Sequence, residues 1–117
     1  MAAPDFIYKI VTADVMAKTR ETRRFPGMPI DVADGYLHFS TAAQLGETLS
    51  LHFRGQMNLV VFSVPVAPLG EKLKWEPSRG GQLFPHLYGD LPVGLIGPEA
   101  IVSVSDTGTV TLPEWVK

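Results

Sequence analysis

Five segments of this chain show the patterns of apolar and polar residues that are typical of β-strands. Residues 6–11 (FIYKIV) and 58–64 (NLVVFSV) are short runs rich in β-branched and aromatic side chains, which predict buried strands. Residues 72–76 (KLKWE) alternate polar and apolar, as an edge strand with one exposed face does. Residues 101–105 predict another strand, and residues 109–112 are expected to close a hairpin with it.

Two other segments carry helical signals. Residues 15–22 follow polar residues suited to capping and predict a short helix. Residues 41–53 predict a longer helix with one apolar stripe, opened by a capping box between Thr41 and Gln44. Between the two helices, residues 25–29 (FPGMP) hold two prolines and predict a loop, followed by a short helical turn.

The short strand predicted at residues 36–39 combines core and site residues. A period of two places Leu37 and Phe39 towards the core, and Tyr36 and His38 on the other face. The strand points at the start of the following helix, where free backbone N–H groups suit an anion.

A second polar and aromatic strand is predicted at residues 83–88 (LFPHLY). If this segment is extended, Phe84, His86 and Tyr88 lie on one face. Pro85 cannot donate a ladder hydrogen bond, so we expect this strand at a sheet edge.

Together these elements predict a compact α+β domain spanning residues 1–117. We expect about six strands and two main helices. A chain of 117 residues with 45% hydrophobic content is long enough to bury one core.

Charge and composition exclude several classes of function. A net charge of -2 gives no basic footprint for duplex nucleic acid or a membrane surface. The chain has no cysteine, which excludes disulfides and thiolate catalysis and fits a reducing cytoplasm. The N-terminal residues show no signal-peptide pattern, and the longest apolar run is too short to cross a bilayer.

The three histidines do not predict a metal site, because their spacings lack the short regular pattern of zinc ligands. His52 lies beside the apolar stripe of the longer helix and is expected to have a packing role. For His38 two interpretations stand: a hydrogen-bonding group for a phosphate or ribose, or a histidine satisfied within the sheet.

The densest candidate chemistry lies in residues 75–89. Arg79 offers a fork for phosphate or carboxylate, and the glycines after it allow close approach of the backbone. Trp75 offers a stacking plane, and Glu76 is the best acid–base candidate. The alternatives are an ordinary surface loop at Arg79 and a core position for Trp75. The predicted catalytic residues are Glu76 and His38, and the predicted binding residues are Ser40, Thr41, Trp75, Arg79, Gly80, Gly81, His86 and Tyr88.

Two motifs, GYLHFST at residues 35–41 and SRGGQLFPHLYG at 78–89, resemble the bacterial family known as domain of unknown function 952. Residues 8–10 (YKI), 59–64 and 73–76 (LKWE) extend the resemblance over nearly the whole chain. It implies the fold of the ADP-ribosyltransferase-like domains, which bind NAD in a cleft of a split, mostly antiparallel β-sheet. NAD is therefore the cofactor that the resemblance implies, by fold analogy.

The sequence thus predicts a small-molecule pocket of nucleotide type. As an enzyme, its expected reaction is ADP-ribosyl or 2′-phosphate transfer, with Arg79 and His86 holding phosphates and Glu76 acting on a ribose hydroxyl. In the same scheme Tyr88 or Trp75 stacks on the ligand. One alternative is a non-catalytic binding or regulatory module for a small metabolite, and another is a scaffold in which both motifs serve packing.

Overall fold

A computed structural model describes residues 3–116, whose six strands form two three-stranded antiparallel sheets. The first sheet has the order β1-β3-β6 and the second β2-β5-β4. The strands are β1 (Phe6–Val11), β2 (Leu37–His38), β3 (Leu59–Pro65), β4 (Leu73–Pro77), β5 (Leu83–Leu87) and β6 (Glu99–Val102). The helices are α1 (Ala13–Thr22), α2 (Pro29–Asp34) and α3 (Ala42–His52), with 3-10 turns at Ala67–Lys72, Arg79–Gly81 and Val93–Leu95.

The α+β class and the antiparallel pairing are confirmed, but one split sheet is not what forms. Strands β2, β4 and β5 make a second sheet, and α2 forms where the short helical turn is predicted. The apolar side chains of β2, β4 and β5 pack towards the first sheet, in the core cluster that contains Leu73, Leu87 and Phe62. Hydrophobic burial between the sheets therefore holds them together.

Strands β1 and β3 of the first sheet are buried on both faces, as residues 6–11 and 58–64 predict. Strand β3 is its centre, and six of its residues are buried. One face packs on the second sheet, and the other receives Leu45 and Leu49 of α3. Since both faces are apolar, β1 and β3 read as continuous rather than alternating runs.

Strand β5 lies at the centre of the second sheet, so the prediction that Pro85 marks an edge is wrong. The carbonyl oxygen of Pro85 accepts from the backbone N–H of Phe39 at 3.0 Å. The N and C=O of one strand residue point to the same neighbour, so the missing donor of Pro85 faces β2 just beyond its end at His38. A central proline is therefore tolerated because β2 is only two residues long.

The chain passes from the second sheet to the first at Ser40. Its backbone forms an isolated bridge with Tyr8, with N–O distances of 2.8 and 2.9 Å. Helix α3 begins immediately afterwards, and the predicted capping box is confirmed. The Thr41 hydroxyl accepts from the Gln44 N–H at 3.2 Å, and the Gln44 side chain accepts from the Thr41 N–H at 3.1 Å. Gln44 also donates to the carbonyl of Leu83 at 2.8 Å, which ties α3 to β5.

Replacing Thr41 by alanine is expected to lower the free energy of unfolding by about 1 kcal/mol, because a hydroxyl acceptor at the N-cap is lost. Thr12→Ala is the matched control, since Thr12 is the N-cap residue of α1 but makes no side-chain cap hydrogen bond. Urea denaturation of both variants gives the comparison. Equal losses would show that the capping box of α3 contributes nothing specific.

The predicted second strand of a C-terminal hairpin, at residues 109–112, is wrong. A turn does form there, with the N–H of Ser105 donating to the carbonyl of Thr109 at 3.0 Å. The apolar side chains that follow are used for packing instead: Val110, Leu112 and Trp115 contact the core cluster under α3. Within residues 3–116, no helix has the length and apolarity required to cross a membrane.

Candidate functional site

Four rings stack on the polar face of the second sheet. His38 of β2 and His86 of β5 are register partners, with Tyr36 and Tyr88 beside them. The Tyr36 ring centroid lies 4.6 Å from that of His38, 4.4 Å from that of His86 and 5.1 Å from that of Tyr88. The two imidazoles are 5.3 Å apart. The prediction that Tyr36 and His38 share a face is confirmed, and contacts at these separations stabilise the group.

Asp31 of α2 is the centre of a buried polar cluster beside these rings. Its carboxylate accepts from Lys9 Nζ at 2.9 and 3.0 Å, and from the backbone N–H groups of Met28 and His38 at 2.7 and 2.9 Å. Lys9 also donates to the carbonyl of His38 at 2.7 Å. One carboxylate therefore ties α2 to β1 and to β2.

Burial and pairing oppose one another in the pKa values of this ion pair. Burial raises the pKa of Asp31, but the hydrogen bond from His38 and the charge of Lys9 outweigh it and bring the pKa to about 2, from 3.8. Burial lowers the pKa of Lys9 from 10.5, and the attraction of Asp31 does not fully offset it. The pKa of Asp31 decides behaviour in acid, because Lys9 stays protonated there.

Both ring nitrogens of His38 face carboxylates. Nδ1 lies 2.7 Å from Asp31 Oδ1, and Nε2 lies 2.9 Å from Asp34 Oδ2. Ionised carboxylates only accept hydrogen bonds, so both contacts are hydrogen bonds when each ring nitrogen carries a hydrogen. Carboxylates of α2 therefore occupy both ring nitrogens of His38.

Glu76 of β4 links His86 and Tyr88. Its Oε1 lies 2.8 Å from His86 Nδ1 and accepts from the Tyr88 hydroxyl at 2.7 Å. These hydrogen bonds, that of His86 first, lower the pKa of Glu76 from 4.5. The same bond to Glu76 raises the pKa of Tyr88 to about 12. Glu76 is therefore an ionised acceptor at neutral pH.

A pocket of about 470 Å³ opens between this ring stack, β1 and α3. Its wall combines aromatic rings with hydroxyl, imidazole and guanidinium groups. The lining residues are Tyr8, Lys9, Ile10, Met28, Ile30, Asp34, Tyr36, His38, Phe39, Ser40, Thr48, His52, Phe53, Ser78, Arg79, Phe84 and His86. The two motifs singled out in the sequence therefore meet at one cavity.

Among the cations of this pocket, Arg79 makes the longest polar contacts, so its N–H donors are the most available. Its guanidinium lies 5.1 Å from the Phe84 ring centroid, which it covers. Its polar contacts within residues 3–116 are long: 3.4 Å to the Thr48 hydroxyl and 3.8 Å to Glu47. Most of its five N–H donors are therefore available to an anion.

The structure places the predicted site residues unevenly. His38, Ser40, Arg79 and His86 line the pocket, whereas Glu76 and Tyr88 lie behind His86. Ser40 is buried, with its hydroxyl 3.5 Å from that of Thr48.

Trp75 and Thr41 are not among the lining residues. Trp75 points to the opposite face of the sheet and packs on the core, which is the alternative considered for it. Thr41 is occupied as the N-cap of α3. The pocket contacts α3 at Thr48 and His52 rather than at its first turn.

Gly80 and Gly81 lie outside the pocket wall, in an exposed turn where both have positive φ, 65° and 80°. Their role is to shape the turn that carries Arg79. His52, for which packing was expected, is exposed and lines the pocket.

Sequence reasoning missed Lys9, Asp31 and Asp34. The signal that could have found the first was a lysine inside the buried strand FIYKIV, because a buried ammonium needs an acidic partner. Nothing local marks Asp31 as that partner. Among residues 3–116, no three His, Asp or Glu side chains are arranged to hold a metal ion.

Comparison with known proteins supplies a family. The sequence model of the family described as "Protein of unknown function (DUF952)" matches residues 10–99. The chain is similar to protein CC0527 of Caulobacter crescentus: the crystal structure superposes with a TM-score of 0.84 at 43% identity, covering 91% of this chain and 93% of that one.

The solution NMR structure of CC0527 superposes with a TM-score of 0.77 at 45% identity, covering 88% of this chain and 89% of that one. No protein of curated function matches the chain. The family match spans well over half of the 117 residues and includes both motifs that form the pocket. The chain belongs to the DUF952 family of proteins of unknown function.

Proposed function

We propose that the pocket binds a small ligand of nucleotide type, with a planar ring and a phosphate or similar anionic group. One observation carries this proposal: Arg79, His38 and the rings of Tyr36 and Phe84 line the same cavity. The volume of about 470 Å³ is in the usual range for small-molecule sites.

Different pocket groups bind the two ends of the proposed ligand. Arg79 supplies open N–H donors for a phosphate, and its long contacts to Thr48 and Glu47 can be exchanged at little cost. His38 adds a ring to the pocket wall but no free donor, because both of its nitrogens are paired. Tyr36 offers a ring face for a base or nicotinamide.

NAD is the first ligand to test, because of the resemblance to ADP-ribosyltransferase-like domains. In an ADP-ribosyl or 2′-phosphate transfer, Arg79 holds a phosphate and Glu76 acts through His86, since Glu76 does not itself line the pocket. We propose that this activity is cytoplasmic, because a chain without cysteine forms no disulfides and so fits a reducing compartment.

A non-catalytic module for a small metabolite is the second candidate. The observation that favours it is the internal pairing of the acid–base groups: His38 is held by two carboxylates, and Glu76 by His86 and Tyr88. Such pairing produces a rigid, preorganised binding site. Binding without any conversion of the ligand distinguishes this candidate from the transferase.

Thermal denaturation with a ligand panel tests the proposal. NAD, ADP-ribose, AMP, nicotinamide and inorganic phosphate are compared at equal ionic strength. A ligand at 100 times its Kd stabilises the fold by about 2.7 kcal/mol, so we expect ADP-ribose or NAD to raise Tm by several degrees. Chromatography for released nicotinamide then separates enzyme from binder. If no nucleotide-type compound changes Tm, the proposed function is wrong.

A further inference from the structure

His86 is a buried imidazole with one nitrogen open to the pocket. The residue is 4% exposed and lines the cavity. Its Nδ1 contacts Glu76 at 2.8 Å, and its Nε2 makes no hydrogen bond within residues 3–116. In this part of the chain no fully buried side-chain nitrogen or oxygen lacks a partner, so Nε2 is accessible to solvent. Because His86 lines the pocket, we infer that the solvent reaching Nε2 is that of the pocket.

The partner of Nδ1 decides which nitrogen carries the hydrogen. The Glu76 carboxylate also accepts from the Tyr88 hydroxyl at 2.7 Å, so Oε1 receives two donors. An ionised carboxylate has no hydrogen to give, and His86 Nδ1 must therefore donate. In the neutral imidazole this leaves the lone pair on Nε2, facing the pocket.

We propose that His86 is the general base of this pocket, whose Nε2 accepts the proton of a ligand hydroxyl while Glu76 positions the ring. This inference rests on the proposed function, since it assigns a role within the same ligand site. In the step, the ligand O–H bond breaks and an Nε2–H bond forms. The electron pair stays on the ligand oxygen, and the imidazolium that results is stabilised by Glu76. The ligand class is then a hydroxyl-bearing one, such as a ribonucleotide.

His38 cannot take this role, although its ring is only 5.3 Å away. Both of its nitrogens already contact carboxylates at hydrogen-bond distance, so neither is open to a ligand hydroxyl. The two histidines therefore differ in function because their partners differ: two carboxylates occupy both nitrogens of His38, and one carboxylate leaves Nε2 of His86 open.

Charged and titratable groups surround His86 on each side. Lys74 is its register partner on β4, where Glu76 also lies. His38 of β2 and Tyr36, just before β2, face it with ring centroids at 5.3 and 4.4 Å. Lys9, Asp34 and Arg79 are further charged groups of the pocket wall. Of these groups, the ionised carboxylate of Glu76 accepts the hydrogen of Nδ1.

Histidine side-chain ¹⁵N NMR on the free protein tests the assignment without any ligand. At pH 8 we expect His86 to be protonated on Nδ1 and unprotonated on Nε2. Glu76→Gln can donate from its amide, so in that variant the Nε2–H tautomer should become the major form. Glu21→Gln, an exposed change on α1, is the matched control and should leave His86 unchanged. A hydrogen on Nε2 of the wild-type protein, alone or on both nitrogens, overturns the proposal.

A pair of nucleotides tests the role towards a ligand. We expect the wild-type protein to bind AMP about tenfold more tightly than 2′,3′-dideoxy-AMP, because the deoxy compound leaves Nε2 unpaired. His86→Asn should remove this preference, while Arg79→Ala should weaken both ligands equally. Equal affinity of the wild-type protein for the two nucleotides overturns the role of His86. If neither nucleotide binds, the ligand class of the proposed function fails, and the NMR tautomer still decides the assignment.

Discussion

Replacing Asp31 by asparagine is expected to lower the free energy of unfolding by about 3–5 kcal/mol at pH 7. The carboxylate is buried with Lys9, and both residues are 3% exposed. Asparagine leaves the ammonium of Lys9 buried without a countercharge, and it weakens the acceptors for the Met28 and His38 N–H groups. Urea denaturation measures the loss. Asp90→Asn, at an exposed position, is the control and should change stability by less than about 0.5 kcal/mol.

The difference in the free energy of unfolding between wild type and Asp31→Asn should decrease in acid. The pKa of Asp31 is about 2 in the folded protein and 3.8 without these contacts. A depressed pKa contributes stability that is complete above the unfolded value and is lost as pH falls through the folded value. We therefore expect the difference to shrink by about 2 kcal/mol between pH 5 and pH 2. A difference that is constant over this range would contradict the account of the ion pair.

Replacing Arg79 by alanine is expected to weaken binding of a phosphate-bearing ligand by about 10- to 100-fold. Hydrogen bonds to charged groups contribute about 1.5–3 kcal/mol, and Arg79 is the pocket cation with open donors. The fold should tolerate the change, because the contacts of Arg79 to Thr48 and Glu47 are long. Isothermal titration of ADP-ribose against both proteins measures the effect.

Two further variants separate charge from geometry at Arg79. Arg79→Lys keeps the charge and loses the bidentate fork, so its affinity should fall between those of wild type and alanine. Arg24→Ala removes an exposed arginine that does not line the pocket, and it should leave affinity unchanged. An equal loss in Arg24→Ala and Arg79→Ala would mean that the ligand responds to overall charge.

Segments with strong local signals were predictable from the sequence. β1 and β3 are continuous apolar runs, and α3 has an apolar stripe and a capping box within thirteen residues. Their physics is local, because periodicity and capping act over a few residues. The division into two sheets is not local. It depends on β2 pairing with β5, some fifty residues later, through two register pairs alone.

The position of Pro85 shows how context overrides a residue preference. Proline indicates an edge when its neighbours are long strands, but here the neighbouring β2 ends at His38 and removes the conflict. Residues 109–112 show a similar effect, since their apolar side chains are needed to cover the cluster under α3 rather than to extend a hairpin.

The sequence predicted that the two motifs meet at one site, but it predicted less well what each residue does there. The sequence predicted His38, Arg79 and His86 as site residues, and all three line the pocket. It placed Trp75 there too, although the alternation of β4 directs Trp75 and Glu76 to opposite faces. The partners that set the protonation of each histidine, Asp31 among them, come from elements that only tertiary structure brings together.

The most direct test of the ligand pocket is a ¹H–¹⁵N NMR titration of the protein with ADP-ribose. We expect saturable chemical-shift changes that are largest for Arg79, Tyr36, His38 and His86. A second, open groove lies beside β6, within residues 101–111, and its resonances should stay unchanged. Shifts confined to that groove, or no saturable shift at millimolar ADP-ribose, would contradict the claim that this pocket is the ligand site.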